Sequence, residues 1–147
     1  MSLSAILSEV GTLAATISGV GVIRTYELYV STLDALKANF MSGGVINALE
    51  IDRVKTIDNR FSNYRTRRDH TLQLNFYYGL NSGGTSTRPT FRGIVESAES
   101  VFRNDYRLSG NAVLAGPFQI EQDGYIDKAG VLLHYCQCSL VAREDVS

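Results

Sequence analysis

Apolar residues at Leu3, Ile6, Leu7, Val10, Leu13, Ala14 and Ile17 recur at helical spacing, which places one buried stripe along a helix. The pattern predicts that helix over 3–18, ended by Gly19 and Gly21. In "VIRTYELYV" the alternation of Tyr26, Leu28 and Val30 predicts a strand. "STLDALKANFMSGG" follows as a short helix with Ser31 as its cap, Leu33, Leu36 and Phe40 on its buried face, and Gly43–Gly44 closing it. "VINALEIDRVKTI" and "HTLQLNFYY" then pair as a hairpin. In the first strand Leu49 and Ile51 share a face, and the apolar phase shift after Ala48 predicts a bulge there. The return strand sets Leu72, Leu74, Phe76 and Tyr78 against Thr71, Gln73, Asn75 and Tyr77.

Past the linker "NSGGTSTRP", Phe91, Ile94, Val95, Ala98, Val101 and Phe102 mark the clearest amphipathic helix, with Pro89 in its first turn. A second loop, "RLSGNAVLAG", leads to two strands, "PFQIEQ" and "GVLLHYCQCSLVARE", joined through "DGYIDKAG". The last is apolar on both faces and therefore belongs at the centre of a sheet. This order predicts an α+β fold: an antiparallel or mixed sheet of about five strands with helices packed mainly on one face.

Length and charge narrow the function. A chain of 147 residues suits one domain, 1–147, with its own core. Fourteen basic and fifteen acidic side chains give a net charge of -1, whereas a dedicated nucleic-acid binder is usually strongly basic. Two cysteines, Cys136 and Cys138, make no disulfide framework and favour assembly in a reducing cytoplasm. The opening "MSLSAILSEVGTLAATISGVGV" carries Glu9 and lacks a positive start, so neither a signal peptide nor a membrane span is expected.

Candidate chemistry is sparse. "HYCQC" offers His134, Cys136 and Cys138 as ligands, but alternate strand residues stand about 6.5–7 Å apart along the backbone. A tetrahedral zinc needs its donors within about 2.3 Å. Core packing is the preferred reading, and neither metal nor cofactor is expected. The same spacing makes His134 a poor base for either thiol, and no "GxSxG" elbow occurs. Glu50, Asp52, Glu96, Glu99 and Glu121 read as solvated carboxylates. "NSGGTST" is rich in glycine but lacks the Walker lysine. No catalytic residue is assigned, so an enzyme is not expected; a convergent pocket of His134, a cysteine and a carboxylate would reverse that reading.

The most distinctive stretch is "NYRTRRDH". Arg60, Arg65, Arg67 and Arg68, with Phe61 and Tyr64 among them, fall at or near the tip of the long hairpin. Arginine and tyrosine are favoured anchors in protein interfaces, and they also stack on bases and pair with phosphates. Three readings stay open: protein docking, which leads, pairing within the chain, and nucleic-acid contact. The candidate interface is Arg60, Tyr64, Arg65, Arg67 and Arg68.

The segments "GGVINALEIDR", "RRDHTLQLNFYYGL", "PTFRGIVESAESVFR" and "GVLLHYCQCSLVARE" resemble the tail terminator and head–tail joining (tail completion) proteins of long-tailed bacteriophages. The resemblance runs from about Leu3 to Glu144 and rests on element order and strand patterning. It implies a structural virion protein assembled in the host cytoplasm, forming a homo-oligomeric ring, commonly a hexamer, on the head-proximal end of the tail tube. The ring would end tail growth and contact the tube protein and the head–tail connector. DNA would pass through its opening without sequence-specific binding, and no membrane would be involved. The alternative is a small nucleic-acid-binding module using the arginine-rich loop 60–70.

Overall fold

The computed structural model describes residues 2–60, 62–63, 65–80, 87–105, 108 and 114–146. Three helices and six strands follow in the order α1 (Leu3–Ala14), β1 (Val22–Arg24), α2 (Leu33–Phe40), β2 (Met41–Ser42), β3 (Val45–Arg60), β4 (Thr66–Gly79), α3 (Arg88–Asn104), β5 (Leu114–Lys128) and β6 (Val131–Val146). The fold is α+β, and its sheet runs β1-β3-β4-β6-β5, with β2 paired to β3 off this path. Only β1 lies parallel to its neighbour; the other pairings are antiparallel. The sheet is therefore mixed, with six strands where about five were expected. Strand β6 lies between β4 and β5, as its two apolar faces predicted.

Helices lie on both sheet faces, the longer α1 and α3 on one and the short α2 on the other, where helices mainly on one face were expected. On one face α1 and α3 bury Ile6, Val10, Phe91, Ile94, Val95 and Phe102 against Leu49, Ile51, Leu72, Leu74, Phe76 and Cys138. On the other, α2 sets Leu36 and Phe40 against Ala48, Tyr77, Leu133 and Tyr135. This second core explains the phase shift at Ala48–Leu49: consecutive residues point into opposite cores, and the register is continuous there. The irregularity in β3 falls between Arg53 and Lys55 instead.

Four further boundaries differ from expectation for local reasons. Helix α1 stops at Ala14, where Thr16 donates its hydroxyl to Leu13 O at 2.6 Å and takes up a terminal carbonyl. Ile17 is buried all the same. The cap of α2 is Thr32, whose hydroxyl accepts from Ala35 N at 3.1 Å, and Leu33 is exposed rather than buried. Residues 26–30 form no strand. The Leu28 N–H that would have joined a ladder donates to Glu50 Oε2 at 2.7 Å, and Val30 and Leu28 pack into the second core. At the other end "DGYIDK" continues β5, so the turn to β6 is only Ala129–Gly130, both at positive φ. Of the linker expected over 81–89, residues 81–86 lie outside the described residues and Arg88 and Pro89 already belong to α3; of the loop expected over 107–116, residues 107 and 109–113 lie outside them and 114–116 belong to β5.

Candidate functional site

The basic cluster divides in two. Arg60 ends β3 and Arg65 precedes β4, and both are exposed beyond the helices. Tyr64 and its neighbour Phe61 lie outside the described residues. Arg67 and Arg68 are not loop residues: they sit within β4, paired in register with Asp145 and Glu144 of β6. Arg67 Nε donates to Asp145 Oδ1 at 2.8 Å, and Arg68 Nε to Asp58 Oδ1 at 3.0 Å. Arg143 adds a two-pronged pair to Asp69, at 2.7 and 3.1 Å. These bonds hold the Asp145 and Asp69 carboxyls below the ordinary range, chiefly through the guanidinium hydrogen bonds. Arg67 and Arg68 thus hold the arm together, and substituting them disturbs the strand pairing as well as the surface.

The arm also displays apolar side chains. Val54 and Ile57 on β3 are 53% and 45% exposed; away from the arm, on the edge strand β5, Ile120 and Tyr125 are 50% and 56% exposed, opposite Cys138 and His134. Beside Glu50 of β3, Tyr26 and Tyr29 flank Glu27 on the irregular segment, and Tyr29 is 89% exposed.

Beneath that segment lies a polar network the sequence did not reveal. Glu50 is 1% exposed, not the solvated carboxylate its composition suggested. Its carboxylate accepts from Leu28 N, lies 3.9 Å from Lys128 Nζ and meets the Tyr77 hydroxyl. The Lys128 ammonium sits 5.2 Å from the Phe40 ring centroid and 4.9 Å from that of Tyr77, a cation–π pairing on each side. Tyr135 Oη donates to Asn75 Oδ1 at 2.9 Å, and Asn75 Nδ2 donates to Glu27 Oε1 at 3.2 Å. Together these groups line a cavity of about 340 Å³ open to solvent. The signal was the register: Ala48, Tyr77 and Tyr135 share a row, and the next row is Glu50, Asn75 and Gln137. Polar residues on a face that also carries two tyrosines mark a covered face.

Burial raises the Glu50 carboxyl above its ordinary range, against the lowering effects of Leu28 N–H and Lys128. A raised folded-state pKa means that the native state holds the proton more tightly than the unfolded chain does. The stabilisation is complete below the unfolded pKa and is lost as pH rises through the folded one. Glu50→Gln, always neutral, should abolish this slope. Urea midpoints of both proteins between about pH 4 and pH 8 should show wild type losing stability relative to the variant as pH rises. Parallel curves would mean that Glu50 ionises freely.

His134, Cys136 and Cys138 are buried, as packing predicted. His134 stacks on Phe91 with centroids 5.5 Å apart, and its Nε2 lies 2.6 Å from Thr87 Oγ1. Burial, then Arg88, lowers its pKa. The thiols lie 3.6 Å apart and are unbridged. Among the described residues no group of three His, Cys, Asp or Glu side chains could hold a metal ion, and no helix is long and apolar enough to cross a membrane. Comparison with protein-family models and with characterised proteins gives no match to this chain.

Proposed function

We propose that the chain is a structural subunit of a phage tail, a terminator or completion protein that assembles with copies of itself into a ring at the head-proximal end of the tail tube. The observation that carries the assembly reading is the exposed set on β3 and at the start of β4, Val54 and Ile57 on the same strand as Arg60 with Arg65 close by, together with Ile120 and Tyr125 exposed further along the edge strand β5. Apolar and arginine side chains presented together on extended strands are suited to burial by other protein chains. The tail assignment rests on the resemblance of the four segments named above. In this role the cores hold the arms rigid and the arms make the contacts, with no chemical step required.

The nucleic-acid alternative loses ground because Arg67 and Arg68 are already paired with carboxylates. Arg60 and Arg65 alone would give a weak phosphate footprint. Sedimentation across a concentration series, with negative-stain images of the same samples, tests the reading. Closed rings with an open centre are the expected outcome. A monomer that binds DNA with affinity falling steeply in salt would overturn it in favour of the alternative.

A further inference from the structure

We infer that the Glu27–Glu50 cavity is the docking site for the arginine tip of a second copy of this chain. The inference rests on the assembly reading and adds to it the two surfaces that meet. The cavity is lined by Glu27, Tyr29, Glu50, Asn75, Tyr77 and Tyr135, with Lys128 at its side. Lys128 and Arg24 both face the buried Glu50, so the anionic group left for a partner is the exposed Glu27 carboxylate. Tyrosine rings beside carboxylates suit a guanidinium, which stacks on the ring while its N–H groups pair with the acid. The same chemistry already operates next door, where the Arg24 guanidinium lies 5.7 Å from the Tyr26 ring centroid and 5.3 Å from that of Phe40.

The complementary group is on the arm. Arg60 and Arg65 are exposed at its tip, and no ion pair within the chain involves either among the described residues. A chain cannot fill its own cavity. Glu50 and Arg60 lie on one continuous strand, β3, and ten residues at about 3.3 Å each set them roughly 33 Å apart. The tip that enters it belongs to a second copy, matched to the cavity by charge, and the contact joins two different surfaces, tip to cavity. A head-to-tail contact of this kind propagates, closing into a ring when its rotation permits. A phosphate-bearing partner is disfavoured at this site by the carboxylates themselves.

Charge reversal tests the pairing by sedimentation velocity on the full chain. R60E/R65E and E27R should each weaken self-association at least about tenfold, since like charges are then juxtaposed. The combined R60E/R65E/E27R chain should recover most of it, because the reversed pair is again complementary. All three positions are exposed, and unchanged urea midpoints would show the fold intact. Wild type that associates regardless of either reversal overturns the docking while leaving the assembly reading standing. Loss without recovery in the combined variant overturns the pairing of these two surfaces. Wild type that stays monomeric at every concentration overturns both.

Discussion

Phe91→Ala should lower the unfolding free energy by about 3–5 kcal/mol, the range for deleting a fully buried aromatic ring. Phe91 is 2% exposed and sits where α3 meets the sheet, stacked on His134 and 6.3 Å from the Tyr78 ring. Its removal leaves a void between helix and strands that Ile94 and Val95, held a turn further on, are poorly placed to fill. Urea unfolding should show a lower midpoint at an unchanged slope. His134 provides a second readout, because its low pKa comes first from burial. Uncovering the ring should move its titration back up, which an NMR pH series would follow. Ile57→Ala, at a side chain 45% exposed, should change stability by no more than about 0.5 kcal/mol. A Phe91 effect as small as that would mean α3 is not anchored there.

Phe91 belongs to the part of the fold that was plain in the sequence. Helix α3 announces itself because five buried positions fall on one stripe and Pro89 starts it. The β4 alternation was legible for the same reason: one residue in two faces each core. The second core was harder to see. Its helix α2 has only eight residues, and Leu36 and Phe40 are its only buried ones, so the pattern could not show which side of the sheet it covers. Segment 26–30 alternates like a strand because Leu28 and Val30 do point inward. What it lacks is a neighbouring strand, and no local pattern encodes that.

The candidate site divides along the same line. Composition located the arginine cluster but not its partners, since Asp145 and Arg67 are separated by 78 positions in the chain. Only the β4–β6 register brings them together. Glu50 was misread for a related reason. A carboxylate in a strand is usually solvated, and its burial here depends on Lys128 and Leu28 arriving from β5 and from the irregular segment.

The same dependence on distant register governs a buried histidine–carboxyl contact on the arm, and removing half of it should be severe. His70 and Glu144 are 3% and 2% exposed. His70 Nε2 lies 3.1 Å from Glu144 Oε1, and its Nδ1 lies 2.9 Å from Thr56 Oγ1, which accepts from Arg53 Nη1 at 3.0 Å. His70→Leu removes the hydrogen-bond partner of a buried carboxyl group whose nearest cation, Arg68 Nη1, is 3.9 Å away. The expected loss is about 3–5 kcal/mol, the range for breaking a buried pair from one side. His70→Leu with Glu144→Leu should restore much of it, because an apolar pair carries no unmet charge. Urea melts of the two single variants and the double variant therefore form a cycle with a coupling of about 2 kcal/mol or more. Additive losses would show that imidazole and carboxylate act independently. The damage should also be local. His70 and Glu144 lie where β4 and β6 run out past α1, so the arm beyond them is held by cross-strand bonds and ion pairs rather than by a core. In His70→Leu, amide exchange at 57–60 and 66–69 should accelerate far more than at 72–76, which the two helices cover.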